Sequence, residues 1–280
     1  MSAAADLSFM RTKKTTSKTA PRKRNGLIGS DPQWEEAKAA RRNIDHNDAV
    51  QESFFLQKQY RSMWSHQVAA SPVDLNQILR TLIRKKIPFV LTGAHGIGGW
   101  TGRPRGTLDV DILVKGGRNH GRAVNAIKQL YPDLEVRDFA GVTGFFIPGE
   151  KQSVIDVTYP HRPDIEETLA HPVWTEDKVS GLRYRIPDLE PALANKYGAM
   201  LTPTRAPEKR AIDIADFGWM VKHSTDPGRQ AIDLEKLAWL GEKVRPGGGG
   251  AEILRLVDQV KAGKPINLET TGPSAGQPPG

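Results

Sequence analysis

A chain of 280 residues, 38% hydrophobic and 26% charged, has room for a packed core, while 27 glycines and 20 prolines point to unstructured ends. The absence of cysteine excludes disulfides, thiolate zinc sites and cysteine nucleophiles, so any metal must be held by oxygen or imidazole ligands. No stretch approaches the ~18 apolar residues of a membrane span and the N-terminus has no signal-like apolar core, so a cytoplasmic protein without a membrane partner is expected.

The net charge of +8 is concentrated at one end, because residues 1–44 carry ten Lys or Arg against Asp6, Asp31, Glu35 and Glu36. Residues 1–30, with Lys13, Lys14, Arg22, Lys23 and Arg24 and no periodicity, predict a disordered basic arm. Such an arm attracts polyanions through counterion release, or simply remains a solvated tail. Over 31–70 the pattern turns helical, with Trp34, Ala37, Ala40 and Arg41 on one stripe and Phe54, Leu56, Tyr60 and Trp64 further on, which predicts a helical lead-in.

Residues 71–160 read as the core. Ser71-Pro72-Val73-Asp74 resembles a capping box, and Leu75, Ile78, Leu79, Leu82 and Ile83 then form the stripe of a core-packed helix. A buried strand from Pro88 to Leu91 breaks at Thr92-Gly93. The run Gly93-Ala94-His95-Gly96-Ile97-Gly98-Gly99 then opens a helix, where backbone N–H groups suit phosphate oxygens. A strand over Thr107–Val114 places Leu108, Val110, Ile112 and Val114 on one face and Asp109 and Asp111 on the other. A helix over 119–130 and strands near 134–139, 143–147 and 153–159 follow, the last carrying Asp156.

Residues 161–244 predict a helical half, with helices at 189–200, 208–222 and 234–242. From 245 to 280 the pattern reads as a flexible joint at Pro246-Gly247-Gly248-Gly249-Gly250, a short helix over 253–260, and a polar tail.

Two aspartates one residue apart on a strand project to one face and suit oxygen-ligated magnesium, which takes one or two carboxylates and fills its other positions with water and substrate phosphate. Asp156, flanked by Ile155 and Val157, is the candidate third carboxylate, because a lone buried aspartate is costly. It would bind a second ion or accept the proton of an incoming hydroxyl, or else pair structurally with Arg103 or Arg105. Arg105 lies where a guanidinium would neutralise a triphosphate.

From Phe89 to about Tyr159 the chain resembles the nucleotidyltransferase superfamily, whose signature is a Gly-Gly or Gly-Ser turn, an Asp-x-Asp strand and a later hydrophobic-Asp-hydrophobic strand. Gly93-Ala94-His95-Gly96 and Gly102-Arg103-Pro104-Arg105-Gly106-Thr107-Leu108-Asp109-Val110-Asp111 are most similar to the bacterial branch of AbiEii-type toxins. Ala94 departs from the usual Gly or Ser. The resemblance implies an α/β (α+β) fold with a mixed sheet flanked by helices. It also implies metal binding by Asp109, Asp111 and Asp156 with Asp156 as the catalytic acid, nucleotide contact by Lys196, and a part for Arg210, Asp213 and Asp216.

The expected activity is magnesium-dependent transfer of a nucleoside monophosphate from an NTP to an acceptor hydroxyl. Gly93, Ala94, Arg105, Thr107, Lys196 and Arg210 are the expected nucleotide contacts. The acceptor is RNA or tRNA if the chain is a toxin with a cognate antitoxin, or a small molecule if it is of the antibiotic-modifying kind. A non-catalytic nucleotide-binding protein of the same fold is the third reading. For Lys196, Asp213 and Asp216 the residues alone leave open ordinary solvation and an i, i+4 surface pairing with Lys209.

Overall fold

The computed structural model describes residues 73–268 other than 104, 108, 178 and 179. The predicted basic arm, the helical lead-in over 31–70, Ser71-Pro72 and the polar tail from 269 lie outside the described residues.

Helix α1 (Leu75–Arg84) starts at Asp74, whose side chain accepts from the N–H groups of Asn76 and Gln77. The cap is therefore Asp74, three residues beyond the predicted Ser71. It is held in place by Tyr131, whose hydroxyl accepts from the Asp74 N–H and donates to the Asp74 carbonyl. Strand β1 (Phe89–Leu91) leads into helix α2 (Gly93–Thr101), which strand β2 (Val110–Val114), helix α3 (Arg118–Leu130) and strands β3 (Glu135–Phe139), β4 (Val142–Phe146) and β5 (Ser153–Thr158) follow.

These strands form one mixed sheet in the order β1-β2-β5-β4-β3. β2 and β5 run parallel in its centre and the other pairs are antiparallel. Alternation divides β2 as its sequence predicts. Val110, Ile112 and Val114 are buried with α1 and α3 residues such as Ile78, Leu82, Ala123 and Ile127, while Asp111 and Leu113 point to the opposite face. The predicted start of this strand at Thr107 is too early, for pairing begins at Val110 and Asp109 stands on the segment just ahead of it.

Between Tyr159 and Leu189, where no element is predicted, the chain forms helix α4 (Pro163–Ala170) and a hairpin of β6 (Val173–Asp177) and β7 (Leu182–Ile186). Tyr184 and Ile186 of this hairpin are buried in the sheet's own core. The predicted helical half thus contains a strand pair that completes the sheet layer, and its hydrophobic signal was too short to separate from a loop.

Helices α5 (Leu189–Leu201), α6 (Pro207–His223), α7 (Leu234–Val244) and α8 (Gly249–Lys261) build a second core around Leu193, Tyr197, Phe217, Met220, Leu256 and Val257, which Ile97 of α2 joins. The predicted flexible joint at 246–250 is not one. Gly249 and Gly250 form the first turn of α8 and pack backbone to backbone against α7, where a Cβ on Gly249 would lie 2.2 Å from the Gly241 carbonyl oxygen and one on Gly250 would lie 2.7 Å from that of Ala238. The Glu242 carboxylate accepts from the N–H groups of Gly247, Gly248 and Gly250, satisfying donors that open the helix. Gly249 and Gly250 are there for close approach, not for flexibility. Among the described residues no helix is long and apolar enough to cross a membrane.

Candidate active site

The sheet face opposite α1 and α3 borders a cavity of about 1090 Å³, walled on its other side by α5 and α6. Asp109, Asp111 and Asp156 all open into it, and one carboxylate oxygen from each lies within 4.8 Å of the others. Asp111 and Asp156 are direct partners across β2 and β5, so parallel pairing brings the two carboxylates together. Asp109 joins them from the loop, oriented by the Thr107 hydroxyl, which donates to its Oδ1.

Local backbone makes room for this crowding. Gly93 adopts φ +60°, and a Cβ there would sit 1.8 Å from Asp111 Oδ2. The Asp111 carboxylate thus lies over the first residue of α2, at the positive end of the helix dipole. Thr92, the N-cap, gives no side-chain cap bond and instead donates from its N–H to the Asp111 carbonyl at 2.9 Å, tying the helix start to β2. Across the sheet Gly144 stands opposite Asp156, and a Cβ there would lie 3.2 Å from Asp156 Oδ1.

Electrostatics follow from the geometry. Burial holds the Asp111 carboxyl well above the usual range, and the charges of Asp109 and Asp156 add to this against a smaller opposing pull from Lys196 and Arg105. Asp156 is raised as well, first by burial and further by Asp109, while a hydrogen bond from Ser153 and the charge of Lys209 oppose the shift. Three carboxylates forced together in a partly desolvated place favour either protons or a cation. The all-oxygen donor set fits a hard divalent cation, and these three aspartates can hold a metal ion.

Facing the carboxylates is a cationic cluster whose members share two buried acids. Arg105 makes a two-pronged contact with Asp216 at 3.2 and 3.1 Å, Lys196 lies 2.8 Å from Asp213 and 2.7 Å from Asp216, and Arg205 reaches Asp213 at 2.7 Å. Asp213 and Asp216 are each 1% exposed, so the alternative of a surface pairing with Lys209 gives way to a buried network. That network fastens the loop ahead of Asp109 to α6 and α5. Arg105 thus has Asp216 as its two-pronged partner, and the Arg103 guanidinium lies 5.7 Å from the centre of the Trp219 ring.

Gly93, Ala94, Arg105, Thr107 and Lys196 all line the cavity. Arg210 does not. Its guanidinium donates to the Thr202 carbonyl and caps the end of α5. The family resemblance placed it among the candidates with Asp213 and Asp216, but the turn of α6 carries it away from the cavity. Arg162, Arg205 and Lys209 also line the cavity. Arg162 is forked onto the fully buried Asp164 at 3.1 and 2.8 Å and lies across Gly198, where a Cβ would meet it at 2.8 Å. The pairing of α4 with α5 brings it there.

No protein-family profile and no curated protein matches this chain. Among solved structures it is similar to an antigenic nucleotidyltransferase-like protein from Paracoccidioides brasiliensis, at 17% identity over 66% of this chain and 95% of that one, with a TM-score of 0.40. It is also similar to JHP933 from Helicobacter pylori, at 17% identity over 60% of this chain and 70% of that one, with a TM-score of 0.36.

Proposed function

We infer that the protein is a magnesium-dependent nucleotidyltransferase of the superfamily its sequence motif resembles. The observation that carries this reading is the convergence of Asp109, Asp111 and Asp156 within 4.8 Å at the start of a glycine-rich helix, inside a cavity large enough for two substrates. Bound magnesium would supply charge neutralisation at the phosphates and at the reacting oxygens.

Asp109 and Asp111 are the residues that would hold it, with Thr107 and the Gly93 turn fixing their carboxylates. The first turn of α2 offers backbone N–H groups to phosphate oxygens, and Lys209 faces the same space as an exposed ammonium. Arg105 and Lys196 set the potential of the phosphate side while locked to Asp216 and Asp213. Asp156, on β5 beside Asp111, takes the proton of the acceptor hydroxyl. The hydroxyl oxygen bonds to the α-phosphorus as the bond to the bridging oxygen breaks, and pyrophosphate leaves with the displaced electron pair.

Calorimetry of each NTP with and without magnesium, on wild type and Asp111→Asn, tests the reading. Magnesium-dependent binding lost in the variant is expected, and metal-independent binding in both refutes it. Labelled NTP incubated with total RNA or small-molecule acceptors then tests transfer, with Asp156→Asn as the inactive control. An RNA product would favour the AbiEii-type toxin reading with its antitoxin partner, and a small-molecule product the antibiotic-modifying one.

A further inference from the structure

One row of the sheet leads from the carboxylate cluster to an open edge. Asp111 on β2 faces Asp156 on β5, Asp156 faces Gly144 on β4, and Gly144 faces Arg137 on β3. The neighbouring row is Leu113, Thr158, Val142 and Phe139. Directly opposed residues on adjacent strands point to one face, so both rows share the cavity side of the sheet.

The contacts agree with the register. A Cβ on Gly144 would meet the Phe146 ring at 2.7 Å, the Arg137 guanidinium lies 4.4 Å from the centre of that ring, and the Phe139 and Phe146 rings are 6.2 Å apart. Phe146 is buried, whereas Phe139 is 56% exposed and the Arg137 side chain 43%. β3 is the last strand of the sheet, so this aromatic and cationic shelf is open on its outer side.

Its position relative to Asp156 gives it meaning. Arg137 is two strand spacings from Asp156, about 10 Å, on the edge strand at the opposite end of the sheet from β1. Phe139 is one step along the same strand face. Arg137 pairs with Glu135 at 2.6 Å, but both are exposed, and exposed pairs compete weakly with another anion. A flat ring beside an available guanidinium matches a planar base followed by a phosphate.

We propose that this shelf seats the 3′-terminal nucleoside of a single-stranded nucleic acid, with a base on Phe139, a backbone phosphate at Arg137 and the sugar hydroxyl directed to Asp156. The proposal deepens the nucleotidyltransferase reading and rests on its placing the acceptor at Asp156. It assigns Phe139 and Arg137 to acceptor binding alone, so neither contributes to holding the NTP.

The test uses the full chain and a short single-stranded RNA carrying 2-aminopurine at either its 3′ or its 5′ terminus. Quenching of the 3′ probe on binding is expected, with little quenching of the 5′ probe. Phe139→Ala should abolish the quenching and weaken RNA affinity roughly tenfold, in line with loss of one base stack. Phe139→Trp should restore both, and Arg137→Ala should lower affinity and reduce its salt dependence. Magnesium–NTP affinity should stay within about twofold of wild type in all three, since stacking on a separate surface is removed.

Equal quenching of both probes, or unchanged affinity in Phe139→Ala, would overturn the proposal and leave nucleic acid bound elsewhere. A change of oligomeric state in Phe139→Ala by light scattering would overturn it too, by showing that a second copy covers the shelf. Failure of the nucleotidyltransferase reading is separately visible, as loss of magnesium–NTP binding in wild type with the RNA readouts intact.

Discussion

Asp111 and Asp156 stand directly opposite one another on adjacent parallel strands, and both carboxylates open into the cavity. Two carboxylates in this relation repel when ionised, which is tolerable only if the pair gains something when a cation arrives. Asp111→Asn removes one charge while keeping the shape. In metal-free buffer near neutral pH the variant should be more stable than wild type by about 1 kcal/mol or more. Adding magnesium should raise the melting temperature of wild type and leave the variant almost unmoved. Differential scanning fluorimetry with and without the cation reads both effects, and an Asn variant less stable than wild type would contradict them.

The same pair sets a pH dependence. Asp111 and Asp156 have folded pKa values raised above the ordinary 3.8, so the folded chain binds their protons more tightly than the unfolded chain. The stabilisation they give is therefore full below that ordinary value and is lost as pH rises through the raised ones. Relative to Asp111→Asn, metal-free wild type should lose stability progressively above about pH 4, where an unfolded aspartate ionises. Saturating magnesium should flatten the difference. Urea titrations of both proteins at a series of pH values give it directly.

Gly93→Ala should damage the site as well as the fold. The left-handed backbone costs a Cβ-bearing residue about 1–2 kcal/mol, and the new methyl group also strikes the Asp111 carboxylate. Gly228→Ala is the control, because Gly228 has φ +77° and a Cβ there meets nothing within 4 Å. Chemical denaturation should show the larger loss for Gly93→Ala, and only that variant should lose magnesium affinity.

Asp216 is 1% exposed and receives both Arg105 and Lys196. Replacing it with alanine takes this carboxylate from Arg105 and Lys196 and leaves Asp213 shared by Lys196 and Arg205, and breaking a buried pair of this kind costs about 3–5 kcal/mol. Lys196→Met should cost less than Asp216→Ala, because Asp213 keeps Arg205 and Asp216 keeps Arg105. Urea midpoints for the two variants decide the ranking.

A flexible joint would tolerate substitution at Gly249, whereas a tight helix crossing would not. Gly249→Ala puts a methyl 2.2 Å from the Gly241 carbonyl oxygen and should destabilise the protein by about 1–3 kcal/mol, as overpacking does. Gly247→Ala, where a Cβ meets nothing within 4 Å, isolates the cost of its positive φ. Ending the chain before Gly249 would strip Ile253, Leu256 and Val257 from the second core, and the truncated protein should melt well below the full chain or not fold.

What the residues alone determine is local. The stripe of Leu75, Ile78, Leu79 and Leu82, the alternation of Val110 and Ile112 against Asp111, and the helix opening at Gly93 all follow from periodicity or backbone freedom, which neighbouring positions encode. The motif also singles out Asp109, Asp111 and Asp156 before any pairing is known. Tertiary structure decides what long-range register and packing control. It sets Asp156 beside Asp111 and Arg137 in the same row, and turns Asp213 and Asp216 from a helix face into the buried partners of Lys196 and Arg105. It also converts a glycine run that reads as a linker into the contact between α7 and α8. The β6–β7 hairpin is stable only because Tyr184 and Ile186 find the sheet's core, and Arg210 leaves the site only because of how α6 is turned. None of these outcomes has a cause within the few residues that carry it, since the partner in each case lies on a distant part of the chain.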